Sequence, residues 1–128
     1  MATEKNNIGV IHQDGCVEIM KQDGPGIWFG FHVTSLETRD ISTQLNTIRN
    51  IKLMLNKLRC LKCRGHAQEY IKLDPPELSK YRLFEWTIDF HNSVNERLGK
   101  ELWNYNKARK FYSNPPTIKE GEGCKMIY

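Results

Sequence analysis

Cys60 and Cys63 form a C-x-x-C pair, and His66 stands three residues further on. That arrangement fits a dithiol that exchanges disulfides, half of a zinc site, or two small buried apolar groups. A second polar segment, HNSVNERLGK, runs from His91 to Lys100. His91 and Asn95 are four apart, so on a helix they share one face. Trp28 and His32 are likewise one helical turn apart and follow Gly24-Pro25-Gly26, a turn signal without the spacing of a phosphate-binding loop. On their own, Trp28, His32 and Trp86 are more often core residues than cofactor contacts, and His91 and Asn92 could equally be buried polar groups satisfied by backbone. Redox cysteines together with a polar helical face suggest a dithiol working beside a bound cofactor.

The zinc alternative uses Cys60, Cys63 and His66, with a fourth ligand from Cys16, His91 or Cys124. It would make the chain a non-catalytic, zinc-stabilised helical interaction module. No second paired half-site accompanies the first, so no metal is expected. A thioredoxin-type C-x-x-C follows a strand, whereas this one follows a helical pattern.

The elements that must position these groups are helical. From Asp40 to Leu58 the apolar positions Ile41, Leu45, Ile48, Ile51, Leu55 and Leu58 recur at spacings of 3 and 4, with Asp40 as the expected N-cap. A further helix is expected from Ile27 to Leu36, with Trp28, Phe31, His32 and Ser35 on one face. A third should run from Leu61 to Leu73 and stop before Pro75-Pro76. Cys60 and Cys63 would open that helix, where free amides and the positive dipole end favour a thiolate. Cys63, His66 and Tyr70 would share its face. A fourth helix fits Lys80 to Leu98, with Leu83, Thr87, His91, Val94 and Leu98 on one stripe, and a short fifth fits Asn104 to Tyr112. No strand pattern of useful length and no internal repeat is found. The expected fold is all-α, a four-helix bundle with a short fifth helix. It occupies residues 24–112, between a loose polar arm at 1–23 and a mobile tail at 113–128.

Composition narrows the function. The chain has 128 residues, enough for one domain with a modest core, and is 39% hydrophobic and 27% charged. Nineteen basic residues against 15 acidic ones give a net charge of +4, too balanced for a dedicated nucleic-acid binder. No apolar run reaches the length of a membrane helix. The opening MATEKNNIGV has neither the form of a secretory signal nor that of a mitochondrial presequence, so the cytoplasm is the expected location. Four cysteines do not make a disulfide scaffold.

Taken in order, Gly24-x-x-x-Trp28-x-x-x-His32, Cys60-x-x-Cys63-x-x-His66, Trp86, and His91-Asn92-x-Val94-Asn95-x-x-Leu98-Gly99-Lys100 resemble the Erv/Alr flavin-linked sulfhydryl oxidases. The resemblance spans roughly residues 24 to 112. It implies FAD at the mouth of the bundle, against the C-x-x-C, and a homodimer. It implies that Cys63 lies beside the flavin and that Cys60 is the outer cysteine that meets an incoming thiol. Trp28, His32, His66, His91, Asn92, Asn95 and Lys100 would contact FAD, Lys100 neutralising the pyrophosphate; Tyr70 and Trp103 are weaker candidates. The implied reaction makes disulfides in thiol-containing client proteins, directly or through an intermediary dithiol protein. Electrons pass through the Cys60–Cys63 disulfide to FAD and then to dioxygen, giving hydrogen peroxide. Cys124 and Cys16 are possible shuttles to Cys60; each could instead be an idle thiol or join the subunits.

Two departures refine the resemblance. The segment GKELWNYNKA lacks the cysteine that in many cellular members staples the last helix, and Pro25 stands where many have Arg. Compact members of this kind are similar to those encoded by large cytoplasmic DNA viruses. That implies a viral oxidase acting on virion proteins in the host cytoplasm.

Overall fold

The computed structural model describes the backbone of residues 2–114 and the side chains from residue 15 onward. Five α-helices and one 3-10 turn make up the described residues: α1 (Ala2–Leu36), α2 (Ile41–Leu55), α3 (Leu61–Leu73), the turn Pro76–Ser79, α4 (Leu83–Arg97) and α5 (Tyr105–Ser113). The all-α fold expected from the sequence is present.

Local chemistry explains most boundaries. Asp40 caps α2 through a capping box: its Oδ1 accepts from the Thr43 amide at 2.8 Å, and the Thr43 hydroxyl oxygen accepts from the Asp40 amide at 3.2 Å. Helix α2 stops at Leu55 rather than at Leu58. The Arg64 guanidinium takes the Leu58 carbonyl at 2.6 and 3.1 Å, turning the chain into α3 while Leu58 stays in the core. Helix α3 has the expected span and opens on Cys60, whose Sγ accepts from the Cys63 amide at 3.2 Å. Helix α4 begins at Leu83 and not Lys80. The 3-10 turn precedes it, and Lys80 sits at φ 52, which breaks helical continuity.

Helix α4 ends in a Schellman motif. The Lys100 amide donates to the Asn95 carbonyl at 2.7 Å and the Gly99 amide to the Glu96 carbonyl at 3.2 Å. Gly99 closes it at φ 71, in the left-handed region where a side chain is strained. The motif fixes Lys100 just beyond the helix that carries His91.

The largest difference from the sequence reading lies at the N-terminus. The segment expected to be a loose arm is the first half of α1, and the helix runs through Gly24-Pro25-Gly26 without a turn. Pro25 is tolerated at a cost: it has no amide to give the Lys21 carbonyl. Tertiary contacts hold the segment instead. The Arg59 side chain grips the Asp23 carboxylate at 2.8 and 2.7 Å and the Gln22 amide oxygen at 2.9 Å. A disulfide joins Cys16 to Cys60.

The core is shared by α1, α2, α3 and α4. Phe31, Ile48, Ile51, Leu55, Leu58, Leu83, Trp86 and Phe90 form one buried cluster. Phe84, Ile88 and Ala108 form a second, which seats α5 with help from Leu36, Trp103 and Tyr112. Ile88 is fully buried, worth about 1.5–3 kcal/mol of transfer free energy.

Candidate active site

Three sulfurs meet where α1 crosses the start of α3. The Sγ atoms of Cys16, Cys60 and Cys63 all lie within 4.8 Å of one another. The sequence reading pairs Cys60 with Cys63; in this structure Cys60 is bonded to Cys16 and Cys63 is free. The reason is positional. Continued as a helix, α1 carries Cys16 onto Cys60, with Cα atoms 4.9 Å apart, a separation a disulfide spans readily. Cys60 is 1% exposed and Cys16 7%, so the bond is largely buried and Cys16 is its more open end.

The three-sulfur group contains neither His66 nor His91, and two of its sulfurs are spent in a covalent bond. The four-ligand zinc set built on His66 is therefore not assembled among the described residues. Cys124 lies outside them.

Cys63 does not have the lowered pKa expected of a helix N-terminus. Burial pushes its thiol up, and the cations of Arg97 and Lys62 only partly offset that. It packs against the main core cluster, as do Trp28 and Tyr70. His66, one turn on, is held below the usual imidazole value by burial and then by Arg97 and Lys62.

The second half of the site is a stack of planar rings between α1 and α4. Trp28 lies on His91 with centroids 4.0 Å apart and planes 5° off parallel. His32 stacks on Trp28 at 5.8 Å and 13°, and on His91 at 5.1 Å and 17°. Phe90 meets Trp28 edge-on at 5.1 Å and stacks on Tyr70 at 4.9 Å, linking the rings to α3. Both imidazoles are neutral at physiological pH. Burial and the neighbouring His91 hold His32 down to about 3; burial and the Lys100 ammonium hold His91 down to about 4.

Lys100 is thus close enough to act electrostatically on His91, and the rings of Trp28, His32 and His91 lie together. Asn92 and Asn95 serve the loop that carries Lys100. The Asn92 amide accepts from the Trp103 amide at 2.7 Å and donates to the Trp103 carbonyl at 2.9 Å. The Asn95 amide donates to the Glu101 carbonyl at 3.3 Å. Each side-chain amide keeps spare hydrogen-bonding capacity for a ligand.

Several site residues escape a sequence reading. Thr87 bonds His32, and Arg59, Asp23 and Arg64 hold the junction around Cys60. Only Thr87 left a signal, its place one turn before His91 on the same stripe.

An oxidisable cysteine group at a helix start, packed on the same core as a set of neutral stacked rings in an all-α bundle, defines a thiol–disulfide redox protein. More narrowly, this chain belongs to the Erv1/Alr family, whose profile matches residues 25–113. It is 31% identical over 105 residues to the FAD-linked sulfhydryl oxidase of a Kenyan pig isolate of African swine fever virus, covering 77% of this chain and 88% of that protein. The enzyme of the same name from a Namibian warthog isolate matches with the same identity and coverage. Protein 347L of Invertebrate iridescent virus 6, named in the same class, is 38% identical over 98 residues, 68% of this chain and 88% of its own length. The matched segment begins after Cys16, so the match does not extend to the third sulfur.

Proposed function

We propose that this chain is an FAD-dependent thiol oxidase that makes disulfide bonds in client proteins. The observation that carries the reading is that one helical bundle holds both a point where three cysteine sulfurs converge and a stack of Trp28, His32 and His91, with Cys63 and Trp28 packed against the same core. Family membership and the names of the viral relatives support it. The residues present fit FAD. Neutral stacked rings suit its flat heteroaromatic systems, Lys100 suits its pyrophosphate, and a free Cys63 packs against the same core as Trp28.

The cysteines perform the exchange. From an oxidised Cys60–Cys63 pair, the Cys16 thiolate attacks Cys60 Sγ; the Cys16–Cys60 bond forms and Cys63 leaves as a thiolate. That is the bonding of this structure. A client thiolate then attacks Cys16 Sγ, releasing Cys60. A second client thiolate attacks the client sulfur, forming the client disulfide and freeing Cys16. Cys60 and Cys63 now hold the two electrons taken from the client. Bound FAD supplies the acceptor for that pair and the route to dioxygen, which takes up two electrons and two protons as hydrogen peroxide.

In this scheme Cys16 is the shuttle, Cys60 the interchange cysteine and Cys63 the flavin-side cysteine. The oxidase is virus-encoded, acts in the host cytoplasm where the glutathione pool opposes disulfides, and works as a homodimer. The compact, staple-free sequence and the viral origin of the relatives support this setting.

The test is the visible spectrum of the purified protein before and after a dithiol is added in air. A flavin spectrum that bleaches and then recovers with oxygen is expected. A colourless protein that takes up no added FAD refutes the reading.

A further inference from the structure

The ring stack contains a chain of hydrogen bonds with one direction. The Thr87 hydroxyl has a single proton, and it goes to the Phe84 carbonyl at 2.6 Å, since a carbonyl can only accept. The bond of 2.9 Å between Thr87 Oγ1 and His32 Nδ1 must therefore be donated by His32. His32 is fully buried and neutral, so a proton on Nδ1 leaves a lone pair on Nε2. That lone pair faces His91 Nδ1 at 2.9 Å, so His91 is the donor there and carries its own proton on Nδ1. The remaining nitrogen, His91 Nε2, is left as an acceptor. It has no hydrogen-bond partner among the described residues. It is also not sealed in, because no buried side-chain nitrogen or oxygen among them lacks a partner.

We propose that Thr87 is a positioning residue that sets the tautomers of His32 and His91, so that His91 Nε2 presents a lone pair to a hydrogen-bond donor of bound FAD. The adenine amino group and the ribose hydroxyls both have that chemistry. The inference rests on the flavin reading and deepens it. Without Thr87 the same two rings could be protonated the other way round, which would leave a donor facing a donor.

Three variants separate the roles. Thr87→Ser keeps the hydroxyl and should keep both tautomers. Thr87→Val keeps the shape but offers His32 nothing to donate to; His32 then moves its proton to Nε2, and His91 in turn to its own Nε2. Losing one hydrogen bond and gaining a donor–donor contact should weaken FAD binding about tenfold or more. Asn92→Ala disturbs the Lys100 loop but not the tautomers, and so controls for general loosening of the site.

Full-length protein labelled with ¹⁵N at histidine, as purified with its flavin, shows the protonated nitrogen of each ring in two-bond ¹H–¹⁵N correlation spectra. Flavin fluorescence on rebinding gives the FAD affinity. We expect Nδ1 protons on His32 and His91 in the wild type and in Thr87→Ser, with reversal and weaker binding in Thr87→Val. A wild-type His91 protonated at Nε2 overturns the proposal even if Thr87→Val does not fold. So does a Thr87→Val protein with reversed rings and unchanged FAD affinity. Wild-type protein with both Nδ1 protons but no FAD uptake overturns the flavin reading, leaving the tautomer chain standing.

Discussion

The buried imidazole of His32 and the half-buried one of His91 should make this protein markedly acid-sensitive well above the carboxylate range. In the unfolded chain each titrates near 6.5; folded, His32 is held to about 3 and His91 to about 4. Between those values the unfolded chain binds more protons than the folded one. Stability therefore falls as pH drops below about 6.5 and is recovered as pH rises. Going from pH 7 to pH 5, His32 alone costs about 2 kcal/mol, because each unit of mismatch is worth about 1.4 kcal/mol. His91 is half-buried, and solvent screening cuts its share to about 1 kcal/mol. The sum, about 3 kcal/mol, is a large part of an ordinary domain's 5–15 kcal/mol. It should lower the melting temperature by roughly 10 °C. Asp23, Asp40 and Glu77, whose pKa values are lowered, stay ionised throughout this window and do not contribute. Calorimetry of the flavin-free protein at pH 7, 6 and 5 reads the effect. A melting temperature that stays level across this range would refute the burial argument, and with it the neutral state of the ring stack.

Three other perturbations have worked outcomes. Cys16→Ser should let Cys60 bond Cys63, so that Cys63, free in the wild type, becomes resistant to alkylation as read by peptide mass spectrometry. Because the Cys16–Cys60 bond spans 44 residues, closing it is worth about 4 kcal/mol in chain entropy, most of which the variant loses in denaturant titration. Asn92→Ala strips both partners from the Trp103 backbone and should cost about 2 kcal/mol while weakening FAD binding; a variant with wild-type stability contradicts the clamp. Gly99→Ala forces a side chain into φ 71 and should cost about 1 kcal/mol in the same titration, with FAD affinity falling as Lys100 shifts.

Local signals in the sequence carried far and then stopped at a clear line. The Asp40 cap, the span of α3 and the Trp28–His32 turn rest on contacts within a few residues, and all are present as expected. The ordered motifs also place His91 and Lys100 together. What was not legible depends on distant partners. Gly24-Pro25-Gly26 is a local turn signal, overridden by a disulfide and an ion pair formed across more than thirty residues. Cys16 has no spacing relation to Cys60 until α1 continues as a helix. The pKa of Cys63 follows from burial against the core, which a helix N-terminus does not reveal. Thr87 reads as one more stripe residue, because its role lies in the direction of a proton.

Helix α1 is also a lever with a built-in joint. At Pro25 the rod lacks one internal bond, and beyond that joint Cys16 is its covalent catch. Once the catch is reduced, the Gly15–Gly24 stretch keeps Arg59 as its main tether, through a pair whose arginine is more than half exposed. Such a tether is weakened by salt, whereas the covalent catch is not. Ionic strength would thus set how far the lever swings in the reduced enzyme and have little hold on the oxidised one, a contrast that amide exchange across residues 15–24 would register.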